Sequence, residues 1–129
     1  MPVVHRLESI AAIAAQSVTV EHFSLGFRDF LDGFYENPQA SKLAEEPRRL
    51  TQILNDEGYA DAYLAALAEH LAGQYRLPVP AWCRNPERSL KEPNFAFKTP
   101  EGRMFLLVES PTAFRVRNIF ISAEGLTRA

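Results

Sequence analysis

Over the first 75 positions the apolar residues recur at helical spacing, not strand spacing. Leu7, Ile10, Ala11 and Ala14 fall three and four apart, which predicts a helix from about Arg6 to Gln16 with one small apolar face. Thr19 can cap a second helix, on which Phe23, Phe27, Phe30, Leu31 and Phe34 share one stripe and Arg28, Asp29 and Asp32 point away from it. Such a stripe reads first as core, although it can also line a ligand pocket or a partner groove. Asn37 before Pro38 predicts a short helix to about Ala44, broken by Glu45, Glu46 and Pro47. One or two further turns follow over Arg48 to Asn55, then a loop over 55–58. From Tyr59 the pattern is dense. Tyr63, Leu64, Leu67, Leu71 and Tyr75, with alanines at 60, 62, 65, 66, 68 and 72, predict an amphipathic central helix ending near Gly73 to Arg76.

The remaining third changes character. Leu77 to Pro80 reads as an extended connector, because residues before proline avoid the helical region. Three pairs then repeat one helix-entry signal, a capping residue followed by proline: Asn85 and Pro86, Thr99 and Pro100, Ser110 and Pro111. They predict short helices over 86–90, 100–109 and 111–117, with Asn118 as a left-handed end. Trp82, Phe95, Phe97, Phe105 and Phe114 are large enough to tie these helices to a common core. Ile119 to Ile121 is the one β-like triplet, and Ser122 offers a cap for a final turn. The expected product is an all-α, single-domain bundle of short, mostly non-parallel helices over 1–129, with at most a short extended segment near 119–121.

Composition narrows the class. At 129 residues and 47% hydrophobic, the chain can bury enough surface for one core. One cysteine, Cys83, excludes an internal disulfide and fits a reducing compartment, so the cytoplasm is the expected location. The apolar run Ile10 to Ala15 is too short for a signal peptide, and no run reaches the ~18 apolar residues of a membrane span. The net charge of −2 hides a division. Residues 1–75 carry five Lys/Arg against eleven Asp/Glu, and residues 76–129 carry nine against five. The simpler reading is that an acidic half and a basic half pack on one another. The sharper one is a basic surface for an acidic protein or, less favoured, for nucleic acid.

The chain carries no phosphate loop, paired metal-ligating histidines, serine elbow or EF-hand loop, and nothing in it calls for a cofactor or a metal. His5, His22 and His70 share no ligand spacing. An enzyme or small-ligand reading would centre on Cys83 as nucleophile, His70 as base and Glu109 as acid, although a lone cysteine most often packs as a small apolar residue. Glu109 can equally form a local ion pair with Arg115 or Arg117. Those two arginines lie two apart on a helix and so do not share a face, which allows one to pair inward.

The runs Ala65 to Leu71, Leu77 to Trp82, Asn85 to Arg88, Leu106 to Arg115 and Arg117 to Ile121 resemble the C-terminal domain of a bacterial family. Many of its members carry a helix-turn-helix domain in front and are associated with toxin–antitoxin-like gene pairs. The resemblance covers about residues 40–129. It implies a partner similar to a minimal nucleotidyltransferase toxin. There is no room for a helix-turn-helix domain before Phe23, which removes the main ground for sequence-specific DNA binding. The expectation is therefore a protein-binding, antitoxin-like module. Its face, built from Trp82, Arg84, Arg88, Arg115 and Arg117, would occlude an acidic site on a cognate protein. A homodimer is compatible with the same sequence.

Overall fold

A computed structural model describes residues 7–126. The chain is an all-α bundle with a two-stranded ribbon. Helix α1 spans Ile10–Gln16, α2 Val20–Glu36 and α3 Ser41–Ala44. A π-helical turn at Thr51–Asn55 leads into α4, Tyr59–Gln74. Two 3-10 turns follow at Ala81–Arg84 and Pro86–Arg88, then strand β1 at Asn94–Phe95, α5 at Pro100–Glu109, α6 at Thr112–Arg115, strand β2 at Ile119–Phe120 and a last 3-10 turn at Ala123–Leu126. The helix expected from about Arg6 begins only at Ile10, because Ser9 caps it and Leu7 to Ser9 are not helical; Arg6 itself and His5 lie outside the described residues.

Helices α1 and α2 begin where their caps place them. Ser9 accepts from the Ala12 N–H and Thr19 from the His22 N–H. On α2 the phenylalanine stripe divides. Phe30 and Phe34 are fully buried, whereas Phe23 and Phe27 stand at one end against the ring of Tyr63. Asn37 does not open a helix as expected. It closes α2, its N–H donating to the Gly33 and Phe34 carbonyls, and the next helix starts only at Ser41. Pro38 then belongs to the turn between them.

Helix α4 is central, but it is buried on nearly every side and not on one face. Ala60, Ala62, Ala65, Ala66, Ala68 and Ala72 are as inaccessible as Leu64, Leu67 and Leu71. Small side chains let neighbours approach from all directions, so the helix has no solvent face to keep polar along most of its length. After Gln74 and the capping Tyr75 the chain turns at Arg76, a non-glycine residue with φ 56°, past which the Leu77 N–H reaches back to the Ala72 carbonyl at 2.8 Å.

The extended triplet becomes β2, which pairs in parallel with Asn94–Phe95; the Phe95 and Phe120 rings stack with centroids 4.5 Å apart. The capping pairs at Asn85 and Thr99 act as expected. Ser110 does not: it ends α5, its hydroxyl donating back to the Leu106 carbonyl at 2.6 Å, and α6 starts after Pro111 without a side-chain cap. Asn118 takes the left-handed conformation, φ 65°. Among the described residues no helix is long and apolar enough to cross a membrane.

The two halves are joined by charge. Arg49 pairs with Glu87, Arg88 with Glu46 and Arg117 with Glu69, each bond crossing from residues 1–75 to 76–129. The uneven charge division is thus partly resolved inside the molecule.

Candidate functional site

The five residues expected to form a contact face occupy three different settings. Arg88 is fully buried. Its guanidinium donates to the carbonyls of Asp61 at 3.1 Å and Pro47 at 2.5 Å and to Glu46 at 3.2 Å, and its carbon lies 5.0 Å from the centroid of the Trp82 ring. Trp82 is itself half-buried and donates its indole N–H to the Leu43 carbonyl at 3.0 Å. Arg117 is 5% exposed and clamps the Ala113 and Cys83 carbonyls and the Glu69 carboxylate. Arg88 and Arg117 are therefore internal fasteners. A guanidinium buried in this way and spent on internal carbonyls and carboxylates is withdrawn from the contact surface. Only Arg84 and Arg115 of the four arginines are exposed, and Arg115 also binds the Leu107 carbonyl at 3.2 Å.

The basic half is accordingly less basic at its surface. Between residues 76 and 126, Arg76, Arg84, Lys91, Lys98, Arg103 and Arg115 are exposed, against exposed Glu87, Glu92, Glu101, Glu109 and Glu124. One excess cation is a weak footprint for a nucleic-acid backbone.

Geometry also disfavours the cysteine-centred arrangement. Cys83 is 1% exposed, and burial pushes its thiol up to about 11. Arg117, Arg88 and Arg84 offset that only in part, and Glu69 adds to it. No hydrogen bond joins Cys83 to His70, whose ring packs edge-on against Phe114 with centroids 6.1 Å apart and whose pKa is lowered by burial. Glu109 is exposed at the end of α5 and makes no ion pair among the described residues; the expected local pair fails because Arg117 turns inward to Glu69 and Arg115 to backbone. Among the described residues, no group of three His, Cys, Asp or Glu side chains is placed to hold a metal ion.

The residues that do form an unsatisfied surface lie on α5. Only Leu106 of this helix is a buried apolar residue. Met104 and Val108 are 70% and 75% exposed, and Leu107 and Phe105 are about half exposed. Met104, Leu107 and Val108 stand at i, i+3 and i+4, so they form one stripe on the side turned away from Leu106. Phe97, also about half exposed, packs on Phe105 with centroids 6.3 Å apart and widens the apolar area. Phe97 and Phe105 were expected in the core. They lie outside it, about half exposed, and Phe97 packs on the first turn of α5, where a Cβ at Gly102 would stand 2.6 Å from the Phe97 Cβ. Arg103, over the Phe95 ring at 5.6 Å, and Arg115 border the patch.

A second opening lies between α2 and the start of α4. It encloses about 330 Å³ and is walled by Phe23, Phe27, Tyr59 and Tyr63, with Arg28 and Asp56 at its edge. A wider trough of about 1310 Å³ between 51–59 and 86–94 is open and lined by charges of both signs, including Lys91, Glu57 and Glu92. No protein-family model, curated protein or solved structure matches the chain, so what these surfaces can do follows from their own residues.

Proposed function

We propose that the protein is a protein-binding module whose contact element is α5. The observation that carries this reading is the exposed stripe of Met104, Leu107 and Val108, extended by Phe105 and Phe97, on a helix with one buried leucine. Contiguous apolar area of this kind is unfavourable in water and is matched by an apolar groove that receives a helix face through i, i+3, i+4 anchors. Arg103 and Arg115 at its border suit carboxylates on the rim of that groove. The antitoxin-like role implied by the family resemblance is one form of this function, in which α5 fills and occludes a site on a cognate protein, such as a nucleotidyltransferase-like toxin.

The test is capture of partners from native host lysate, treated with nuclease, by tagged wild-type protein and by the double variant Met104→Glu, Val108→Glu. Both positions are exposed, so the variant keeps the wild-type circular dichroism and melting temperature. A stoichiometric protein retained by the wild type and lost by the variant supports the reading. Retention that ignores the variant but disappears with Arg84→Glu, Arg115→Glu moves the contact to the arginine face. A dimer in gel filtration that the variant dissociates makes the groove that of a second copy. Nothing retained by folded bait removes the binding function.

A further inference from the structure

We propose that the cavity between α2 and the start of α4 binds a small aromatic carboxylic acid. Its rings would lie on Phe23, Phe27 and Tyr59, a polar substituent on the Tyr63 hydroxyl and its carboxylate on Arg28. This goes beyond the protein-binding reading and is independent of α5.

At about 330 Å³ the cavity falls at the lower end of the roughly 300–1,000 Å³ range of small-molecule sites, room for one or two fused rings. Its walls are held rigidly. Tyr63 meets Phe27 edge to face with centroids 5.2 Å apart, stands 5.8 Å from Tyr59, and is pinned from behind by Phe114 at 5.0 Å. A slot of fixed rings receives a flat ligand with little loss of side-chain freedom.

Two polar groups at this cavity have no hydrogen-bond or ion-pair partner among the described residues. Tyr63 lines the cavity and is only 9% exposed, yet among the described residues no group hydrogen-bonds its hydroxyl. A tyrosine this deeply placed ordinarily bonds its hydroxyl to a neighbour. Arg28 forms no ion pair among the described residues although it borders the same opening. The other charge there is already engaged: the two oxygens of Asp56 accept from the Gly58 N–H at 3.0 Å and the Ala60 N–H at 2.8 Å, at the positive end of α4. An anion entering the cavity therefore meets a cation with no ion pair among the described residues and a carboxylate already neutralised in part by backbone donors.

The protein titrated with 6-hydroxy-2-naphthoate, whose ring hydroxyl is the substituent for Tyr63, and separately with its uncharged amide, tests the assignment by ligand fluorescence and by shifts of tyrosine ring resonances. Saturable binding of the acid is expected, about tenfold tighter than that of the amide, as a charge-assisted contact gives. Arg28→Gln should erase that preference, and Tyr63→Phe should weaken both ligands about equally while keeping it. Val20→Trp, at a 57% exposed position on the cavity's edge, should block both, with the melting temperature of each variant confirming the fold. No saturable binding by folded protein, equal affinity for acid and amide, or binding that survives Val20→Trp overturns the proposal.

Discussion

Arg88 lies over the indole of Trp82, 5.0 Å from the ring centroid, while that indole donates to the Leu43 carbonyl at 3.0 Å. The pair thus bolts the 3-10 turns after α4 to the segment that follows α3. Arg88→Met should remove three donors from the Asp61 and Pro47 carbonyls and Glu46 and cost about 3–5 kcal/mol, as breaking a buried charged pair does. Arg88→Lys should rescue little, since a single ammonium cannot reach three acceptors or stack on the ring. Urea denaturation measures both; two variants within about 1 kcal/mol of wild type would show that the bolt contributes little.

Asp61, a buried carboxylate paired with Arg49 at 3.1 Å, carries a pH signature. Burial would raise its carboxyl, but bonds from Thr51, the Leu50 N–H and Arg49 outweigh that and hold it below its ordinary value of 3.8. A carboxylate depressed in the fold contributes stability that is complete above the unfolded-state value and is lost as pH falls through the folded one. Wild type should therefore lose stability on acidification below about pH 5 more steeply than Asp61→Asn. At neutral pH Asp61→Asn should itself cost about 1–3 kcal/mol, because an amide can accept on one side only. Parallel urea midpoints across the acid range would contradict this.

With its thiol at about 11, Cys83 is ionised in about one molecule in a thousand at pH 8. Its reaction with a disulfide reagent should be at least about tenfold slower in native protein than in urea, where the value returns to roughly 8.5. Fast labelling of the native state below neutral pH would revive a catalytic cysteine.

Backbone conformation predicts opposite signs at the two ends of α4. Gly58 holds φ 90° at its start, so Gly58→Ala should cost about 1–2 kcal/mol. At the other end Arg76 holds φ 56° as the residue after the helix, exposed, so Arg76→Gly should be neutral to stabilising by up to about 1 kcal/mol. Thermal melts of the two variants should shift in opposite directions, and a shift of Arg76→Gly downward by several degrees would contradict the prediction.

Elements written by local chemistry were legible in the sequence. The Thr19 cap, the phenylalanine stripe of α2, the dense run of α4 and the left-handed Asn118 depend on residues within a turn or two of each other. What escaped depends on distant neighbours. Asn94 and Phe95 become a strand only because Ile119 and Phe120 lie beside them. Arg88 and Arg117 look like surface cations until the carbonyls of Pro47, Asp61 and Cys83 come into reach. The charge division does point to pairing across the seam, and the spacing of Arg115 and Arg117 to one of them turning inward; which arginines pair is set by the fold. Size alone places Phe97 and Phe105 in the core, and nothing local says that both rings stay about half exposed beside α5.

Helix α5 meets the rest of the molecule through Leu106, the buried Ser110 at its end and the turn at Gly102. Burying so little ties its opening only weakly to global unfolding, so its amide protons should exchange with deuterium well before those of α4. An element mounted in this way can tilt to follow the shape of whatever receives it while the alanine-packed centre stays fixed. In the proposed binding role, such looseness would be a tolerance, setting how wide a range of groove geometries a single sequence could engage.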